Sequence, residues 1–417
     1  MTITSTCKDK PATEIFPSYI SKELLEKSLK NGFKTTNIDI NDYELSMGST
    51  TGDNYCSDIY RAKINYTKDG KPNNSISLII KAMPFSEARS PTLETLEVFD
   101  KEVQMYTVTI PKISEILEGE YLCAKCFYAV KEPVQLIVFE DLTALGYEMA
   151  DRESGIDESH CRVVLSKLGR FHAASIVLAE MDETEMDKFY FGFFKPGAAG
   201  SDVIKAIFEK GLISCVDEVK TWEGFESIAK KMNNFCDNFI EKLADHCKNS
   251  PATVKVLNHG DLWVNNFLFK YDEGKPVDVV FVDYQLSFYS SPGVDVNYFL
   301  STSPSNEVRE NKDDDLIEIY YDNFSRILKK LSKQQYSFDT IKKEIQSREF
   351  YGFGASIGVT PIVMMEKNVS KGSNIENLVD EDASARLRKA MYGSASYRRA
   401  MECMLRKFDQ HKVLDIV

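Results

Sequence analysis

The stretch that decides the fold begins His259-Gly260-Asp261-Leu262-Trp263-Val264-Asn265-Asn266. It continues as two apolar runs, 267–271 and 279–283, on either side of the turn Asp272-Glu273-Gly274-Lys275-Pro276. Runs rich in Val and Phe around a turn that contains Gly and Pro predict a β-hairpin. A polar loop therefore stands directly before a hairpin whose second strand ends on an aspartate.

This order of polar residues predicts phosphoryl transfer. Asp261, in the loop, can orient a substrate hydroxyl and accept its proton while phosphorus is attacked. Asn266 and Asp283 can hold Mg²⁺ against the phosphates of ATP, because Mg²⁺ prefers oxygen ligands and keeps several waters. Each residue alone is more commonly a side chain that caps a turn. The prediction depends on finding all three in this order.

Lys81 and Glu102 are predicted to contact the nucleotide from the N-terminal side. The runs 58–66 and 75–83 flank a turn and predict a hairpin whose second strand carries Lys81. A lysine among apolar residues requires a partner, which phosphates and a helix carboxylate would supply. Glu102 lies in the next helical pattern and is the candidate carboxylate. The structural alternative is an exposed lysine and a solvated glutamate.

Four more residues are candidate nucleotide contacts because of their positions. Gly48 and Gly52 precede the strand-like run 58–66, and a turn that contains them can cover the phosphates. Glu140 and Leu142 follow the strand-like run 134–139, where the backbone can meet the edge of the adenine. Glycines between strands are also common without a ligand.

Beyond about residue 145 the sequence changes to long helical patterns, at 160–179, 225–247, 313–332 and 383–408. The order predicts an α+β, bilobal, protein-kinase-like fold with a small β-rich N-lobe and a large helical C-lobe. The predicted divisions are an N-terminal extension (1–30), a nucleotide-binding N-lobe (31–142) and a C-lobe with the catalytic loop and the substrate-binding helices (143–417).

Composition excludes several classes of function. The 417 residues include 51 Lys and Arg against 64 Asp and Glu, a net charge of −13, which disfavours nucleic acid as a partner. No apolar segment approaches about 18 residues and no apolar leader is present, so we expect neither a membrane span nor secretion. The nine cysteines fit reduced thiols in the cytoplasm. No obligate protein partner is evident.

Two residues near the loop are predicted to support it rather than to react. His259 is expected to fix the loop by hydrogen bonds, although a metal ligand or a base is the alternative in isolation. Asp295 is expected to brace the same loop from the start of a helix. The aromatic run Phe189–Phe194 predicts core packing first and the wall of an apolar substrate pocket second.

The acceptor is expected to be a small molecule rather than a protein. Asp295 follows Asp283 too closely for the long activation segment on which protein kinases bind a peptide. Gly260 also occupies the place of the arginine in a His-Arg-Asp loop, so a phosphorylated segment would have no such partner.

Several motifs together resemble the ecdysteroid kinase-like (CHK kinase-like) family of arthropods. They are the 259–266 loop, Val282-Asp283-Tyr284-Gln285-Leu286-Ser287, Ser291-Pro292-Gly293-Val294-Asp295, Gly52-Asp53-Asn54-Tyr55 with Ser57 and Arg61, Lys81-Ala82-Met83-Pro84 and Leu168-Gly169-Arg170-Phe171-His172-Ala173-Ala174. The resemblance covers about residues 30–410. It implies the bilobal architecture of choline kinases and aminoglycoside phosphotransferases.

The resemblance also implies a reaction, the ATP- and Mg²⁺-dependent phosphorylation of a hydroxyl. It makes Asp261 the catalytic base, Asn266 and Asp283 the Mg²⁺ ligands, and Lys81, paired to Glu102, the phosphate contact. At Gln285 choline-kinase-like relatives often have an acidic residue, whereas the amide is similar to this family's own pattern.

The identity of the acceptor stays open at the level of sequence. Ecdysteroids are the expected acceptors, and detoxification of xenobiotic or plant alcohols is the alternative. A carrier that binds nucleotide or steroid without turnover is the competing non-enzymatic function, and an unusual protein kinase is a further one.

Overall fold

A computed structural model of the chain describes residues 16–48, 57–83, 94–194, 201–249, 252–365 and 381–415. The N-lobe is built on a five-stranded antiparallel sheet of order β1-β2-β3-β5-β4. Its strands are β1 (Ile38–Met47), β2 (Asp58–Lys68), β3 (Lys71–Ala82), β4 (Cys126–Val130) and β5 (Leu136–Glu140). Lys81 lies on the central strand β3, with Ile59 opposite it on β2 and Ile137 on β5.

Helix α1 (Lys22–Phe33) covers one face of this sheet. Its N-terminus is capped by Ser21, whose hydroxyl accepts the Leu24 N–H at 3.3 Å. The side chains of Leu25 and Leu29 are fully buried in the N-lobe core, and each contributes roughly 1.5–3 kcal/mol through the apolar surface that it buries. The boundary predicted at residue 30 falls within this helix.

The next helical stretch belongs to the core of the C-lobe. It consists of α2 (Val98–Gln104), one π-helical turn (Met105–Thr109) and α3 (Ile110–Ile116). Apolar side chains along it are buried in one core cluster with the C-lobe helices and with Ile137 and Phe139 of β5; they are Val98, Phe99, Met105, Tyr106, Ile110 and Ile113.

The described part of the C-lobe is predominantly helical. Its longer helices are α4 (Glu158–Met181), α6 (Asp202–Val219), α7 (Glu226–Asn233), α8 (Phe239–Asn249), α9 (Gly293–Thr302), α11 (Asp313–Lys330), α12 (Phe338–Gln346), α13 (Glu349–Gly358), α15 (Glu381–Tyr392) and α16 (Ala395–Gln410). Three shorter ones are α5 (Glu183–Met186), α10 (Asn306–Asn311) and α14 (Thr360–Val363). Helices α4 and α11 pack closely, since a Cβ on Gly169 would lie 2.5 Å from the Tyr320 carbonyl oxygen.

Two of the predicted helices are wrong as single elements. The pattern at 225–247 is divided by a turn at 234–238 into α7 and α8. The pattern at 383–408 is divided after Tyr392, and the Ser394 hydroxyl caps the second helix by accepting the Tyr397 N–H at 3.3 Å.

Short strands hold the polar loop in place. The loop runs from β7 (Val256–Asn258), which pairs with β10 (Phe288–Ser290), to the predicted hairpin, β8 (Phe267–Asp272) and β9 (Lys275–Phe281). A further strand, β6 (Tyr147–Met149), pairs with β8. The predicted α+β bilobal fold is confirmed. Among the helices of the described ranges, none is both long and apolar enough to cross a lipid bilayer.

Candidate active site

Asp295 braces the start of the 259–266 loop from the first turn of α9. Its carboxylate is fully buried and accepts the backbone N–H of His259 at 2.6 Å and of Gly260 at 2.9 Å. His172, in α4, lies 3.2 Å from the same carboxylate through Nε2. Two backbone donors of the loop are therefore satisfied by one charged side chain.

The backbone at Gly260 requires a residue without a side chain. Its φ is +84°, and a Cβ there would lie 2.1 Å from the Leu286 carbonyl oxygen. Both facts exclude an arginine at this place, because a side chain would clash with backbone and strain the left-handed conformation.

Both ring nitrogens of His259 contact backbone groups. The ring is fully buried, and burial lowers its pKa, which favours neutral imidazole. Nε2 donates to the Val282 carbonyl at 2.9 Å, while Nδ1 accepts the Asp261 N–H at 3.3 Å. These contacts tie the loop to the end of the hairpin, in agreement with the predicted supporting role.

The carboxylate of Asp261 is held on both oxygens. The Tyr298 hydroxyl donates to Oδ1 at 2.6 Å, and the Asn266 amide donates to Oδ2 at 3.0 Å and to the Asp261 carbonyl at 2.8 Å. Burial, followed by the charge of Asp283, raises the pKa of Asp261 to about 6, against the hydrogen bonds from Tyr298 and Asn266. A carboxylate with a raised pKa is better suited to accept a proton than one at its usual value.

Lys81 joins the two lobes through charge. Its ammonium lies 2.7 Å from Glu102 Oε1 and 2.7 Å from Asp283 Oδ1, and the lysine is 7% exposed. Burial opposes its charge, but Asp283 and Glu102 together raise its pKa. Burial raises the pKa of Glu102 against the charge of Lys81, and the charge of Asp283 adds to the rise. The structure thus brings together three residues from three separate regions of the sequence.

The oxygens near this cluster fit Mg²⁺ in their chemistry. The Asn266 amide donates through Nδ2, and neither its Oδ1 nor Asp283 Oδ2 accepts a hydrogen bond from the described residues. Gln285 Oε1 is buried and also lacks a donor in that part of the chain. Amide and carboxylate oxygens are the ligands Mg²⁺ takes in proteins. Asn266 and Asp283 are therefore the residues that would hold it.

The predicted nucleotide contacts on the N-lobe have different outcomes. Gly48 donates its N–H to the Ile59 carbonyl at 2.8 Å, at the end of β1, whereas Gly52 lies outside the described residues. The Glu140 side chain is occupied, because Oε1 accepts the Tyr121 hydroxyl and the backbone N–H of residue 125, each at 2.5 Å. The Leu142 N–H has no acceptor within the described ranges.

Sequence reasoning missed two tyrosines at the site. Tyr106, in the π turn, accepts the Asp283 N–H at 3.2 Å and fixes a residue whose φ is +68°. Tyr298 contacts Asp261, and its ring lies 6.2 Å from that of Tyr351. Tyr298 occurs in α9 three residues after Asp295, so helical spacing was the one available signal.

The aromatic run at 189–194 is buried in part. Phe189, Phe191 and Phe194 are buried, as core packing predicts, whereas Tyr190 is 65% exposed. The Phe194 ring lies 6.0 Å from Tyr351, which in turn packs on Tyr298. A continuous series of rings therefore leads from this run to the residue that holds Asp261.

Solved structures to which this chain is similar include aminoglycoside phosphotransferases. A putative aminoglycoside phosphotransferase from Ralstonia eutropha is 12% identical, covers 92% of this chain and 98% of its own, and gives a TM-score of 0.43. APH(3'')-Id from Streptomyces rimosus, in complex with ADP and streptomycin, is 12% identical over 70% of this chain and 90% of its own, with a TM-score of 0.34. The GDP complex of aminoglycoside 2'-phosphotransferase-IIIa is 12% identical over 93% and 99%, with a TM-score of 0.37.

The family assignment comes from the sequence itself. No curated protein matches the chain. A sequence profile of the ecdysteroid kinase-like family matches residues 51–333, which is more than half of the chain and includes the 259–266 loop, Lys81 and Asp283. The chain belongs to the ecdysteroid kinase-like family.

Proposed function

We propose that this protein is an ATP- and Mg²⁺-dependent kinase that phosphorylates a hydroxyl of an apolar small molecule, with ecdysteroids as the acceptor class. The observation that carries the proposal is the pairing of Lys81 with both Glu102 and Asp283 at 2.7 Å. Beside it stands Asp261, with a pKa raised to about 6. A buried cation, a metal-binding carboxylate and a separate base are the parts that phosphoryl transfer requires.

Each residue has a role in this reaction. Lys81, kept in place by Glu102, binds the phosphates of ATP. The Leu142 N–H, which is unpaired in the described structure, donates to the adenine edge. Asn266 and Asp283 hold Mg²⁺, which supplies charge neutralisation to the phosphates when bound. Asp261 orients the acceptor hydroxyl and takes its proton as the oxygen attacks the γ-phosphorus.

The surroundings of Asp261 favour an uncharged acceptor. Among the described residues, three nearby carboxylates already have partners: Lys81 pairs with Glu102 and with Oδ1 of Asp283, and Asp295 accepts the loop backbone. A polycationic acceptor would need free carboxylates, whereas the rings of Tyr298, Tyr351 and Phe194 suit an apolar skeleton. This contrast supports a steroid or a plant alcohol over a charged amino-alcohol.

The proposal is tested with the purified full chain, Mg-ATP and a mixture of ecdysteroids and plant alcohols. Mass spectrometry detects the phosphorylated product, with Asp261→Asn as the inactive variant and Asp314→Asn, on an exposed side chain, as the matched control. An ecdysteroid phosphate formed by wild type and control alone supports the proposal. Phosphates only on plant alcohols would assign detoxification instead. ATP binding without any product would favour the carrier.

A further inference from the structure

The helix that carries Glu102 is attached to both lobes. Its apolar side chains are buried with those of the C-lobe helices and of β5, and its carboxylates pair with Lys81 and Lys131 of the N-lobe. Polar contacts also attach it to the C-lobe at three points. One is the Tyr106 hydroxyl at the Asp283 backbone, and the other two involve the segment 182–194.

The first contact with this segment is made by Glu185. Its side chain is 2% exposed and accepts four hydrogen bonds. The donors are Gln104 Nε2 at 2.7 Å, Thr109 Oγ1 at 2.5 Å, Lys112 Nζ at 3.0 Å and Lys188 Nζ at 3.1 Å. Three of them come from the stretch that carries Glu102. Burying a carboxylate is costly unless it is hydrogen-bonded and paired with positive charge, and these donors supply both.

The π turn explains how Gln104 and Thr109 reach the same oxygen of Glu185. Residues five apart on an α-helix point about 140° away from each other. The turn between them closes a bond from the Ile110 N–H to the Met105 carbonyl, five residues back, and so brings residues at this spacing onto one face. Helical irregularities of this kind are frequent at functional sites.

The second contact precedes Glu102 by one residue. The Lys101 ammonium donates to the Phe191 carbonyl at 3.0 Å and lies 3.9 Å from the centre of the Phe191 ring. Lys101 is 4% exposed. The segment 182–194 therefore contacts the helix on both sides of Glu102 along the sequence.

We propose that Glu185 is a positioning residue for nucleotide binding. It fixes the helix of Glu102 against the C-lobe and thereby keeps Lys81 aligned toward the phosphates. This inference rests on the proposed function, because it assumes that Lys81 binds a nucleotide. In protein kinases the corresponding helix is positioned by regulation, whereas here buried contacts within the chain hold it.

The test measures Mg-ADP binding to the full chain by calorimetry, which needs no acceptor. We expect Glu185→Gln to bind Mg-ADP about 10-fold more weakly than wild type. Asp182→Asn is the matched control, because Asp182 also pairs with Lys112, at 3.1 Å, but is 39% exposed. It should bind as wild type does.

A double-mutant cycle with Glu102→Gln separates positioning from a general loss of structure. If Glu185 acts through Glu102, adding Glu185→Gln to Glu102→Gln weakens binding no further. The inference would be overturned if Glu185→Gln weakened Mg-ADP binding by the same factor in the wild type and in Glu102→Gln. It would also be overturned if Glu185→Gln alone left the affinity for Mg-ADP unchanged. If Glu185→Gln fails to fold, Thr109→Val replaces it in the same cycle. A wild type that does not bind Mg-ADP would refute the proposed function itself.

Discussion

Replacing Asp295 by asparagine tests how the catalytic loop is held. The carboxylate accepts two backbone N–H groups, at 2.6 and 2.9 Å, in the fully buried interior. Hydrogen bonds to a charged acceptor each contribute about 1.5–3 kcal/mol, and an amide offers one oxygen for two donors. One N–H of His259 or Gly260 would therefore stay unsatisfied. We expect Asp295→Asn to lower the free energy of unfolding by about 3–5 kcal/mol.

The measurement is equilibrium unfolding in urea, followed by tryptophan fluorescence. The chain has two tryptophans, and one of them, Trp263, lies in the loop itself. Asp314→Asn makes the same chemical change on a side chain that is 77% exposed and paired with Lys342, so about 0.5 kcal/mol or less is expected there. A difference below about 1 kcal/mol between the two variants would refute the bracing role of Asp295.

Three further changes test other parts of the site. Lys81→Met should lower kcat about 100-fold with the fold intact by circular dichroism, and unchanged kinetics would contradict its role. Gly260→Ala should cost about 3 kcal/mol in urea unfolding, because of its φ of +84° and the Leu286 carbonyl; a smaller loss would mean that the backbone adjusts. Burial opposes the charge of Glu185, but hydrogen bonds, led by that from Thr109, lower its pKa to about 2. The stabilisation by the ionised Glu185 is therefore present above pH 4.5 and is lost as the pH falls toward 2. Glu185→Gln should lower the free energy of unfolding by about 3 kcal/mol at pH 7 and by less below pH 4.5. A loss that stays constant with pH would show that the lowered pKa of Glu185 is not its cause.

The sequence was sufficient for features that depend on neighbouring residues. The β8–β9 hairpin and helix α4 follow from local periodicity and turn residues, and both are confirmed within a few residues. The breaks at 234–238 and after Tyr392 carried signals that the periodic pattern concealed. Asn233-Asn234 and Gly393-Ser394 are residues that favour turns and caps over helix interiors.

Long-range contacts could not be predicted in the same way. Lys81 and Asp283 are 202 residues apart, and motif order placed them in one site without indicating that they bond directly. Glu185 stands in the acidic sequence Glu183-Thr184-Glu185-Met186, which is typical of a solvated surface. Its burial depends on donors that lie on both sides of it in the sequence, at Gln104, Thr109, Lys112 and Lys188. The three-residue strand β6 likewise depends on a partner, β8, that lies more than 100 residues away.

The π turn at Met105–Thr109 also makes the length of the chain matter at this point. A π turn contains one residue more than the α-helical turn it replaces, so deletion of a single residue here would restore regular α-helix. Ile110 and Ile113 would keep their direction relative to Glu102, because residues four apart on an α-helix lie on one face, as residues five apart do across the π turn. The same deletion within α2 or α3 would instead rotate everything after it by about 100° and turn apolar side chains out of the core. The π turn is therefore the point at which this stretch can lose one residue while its apolar face stays buried.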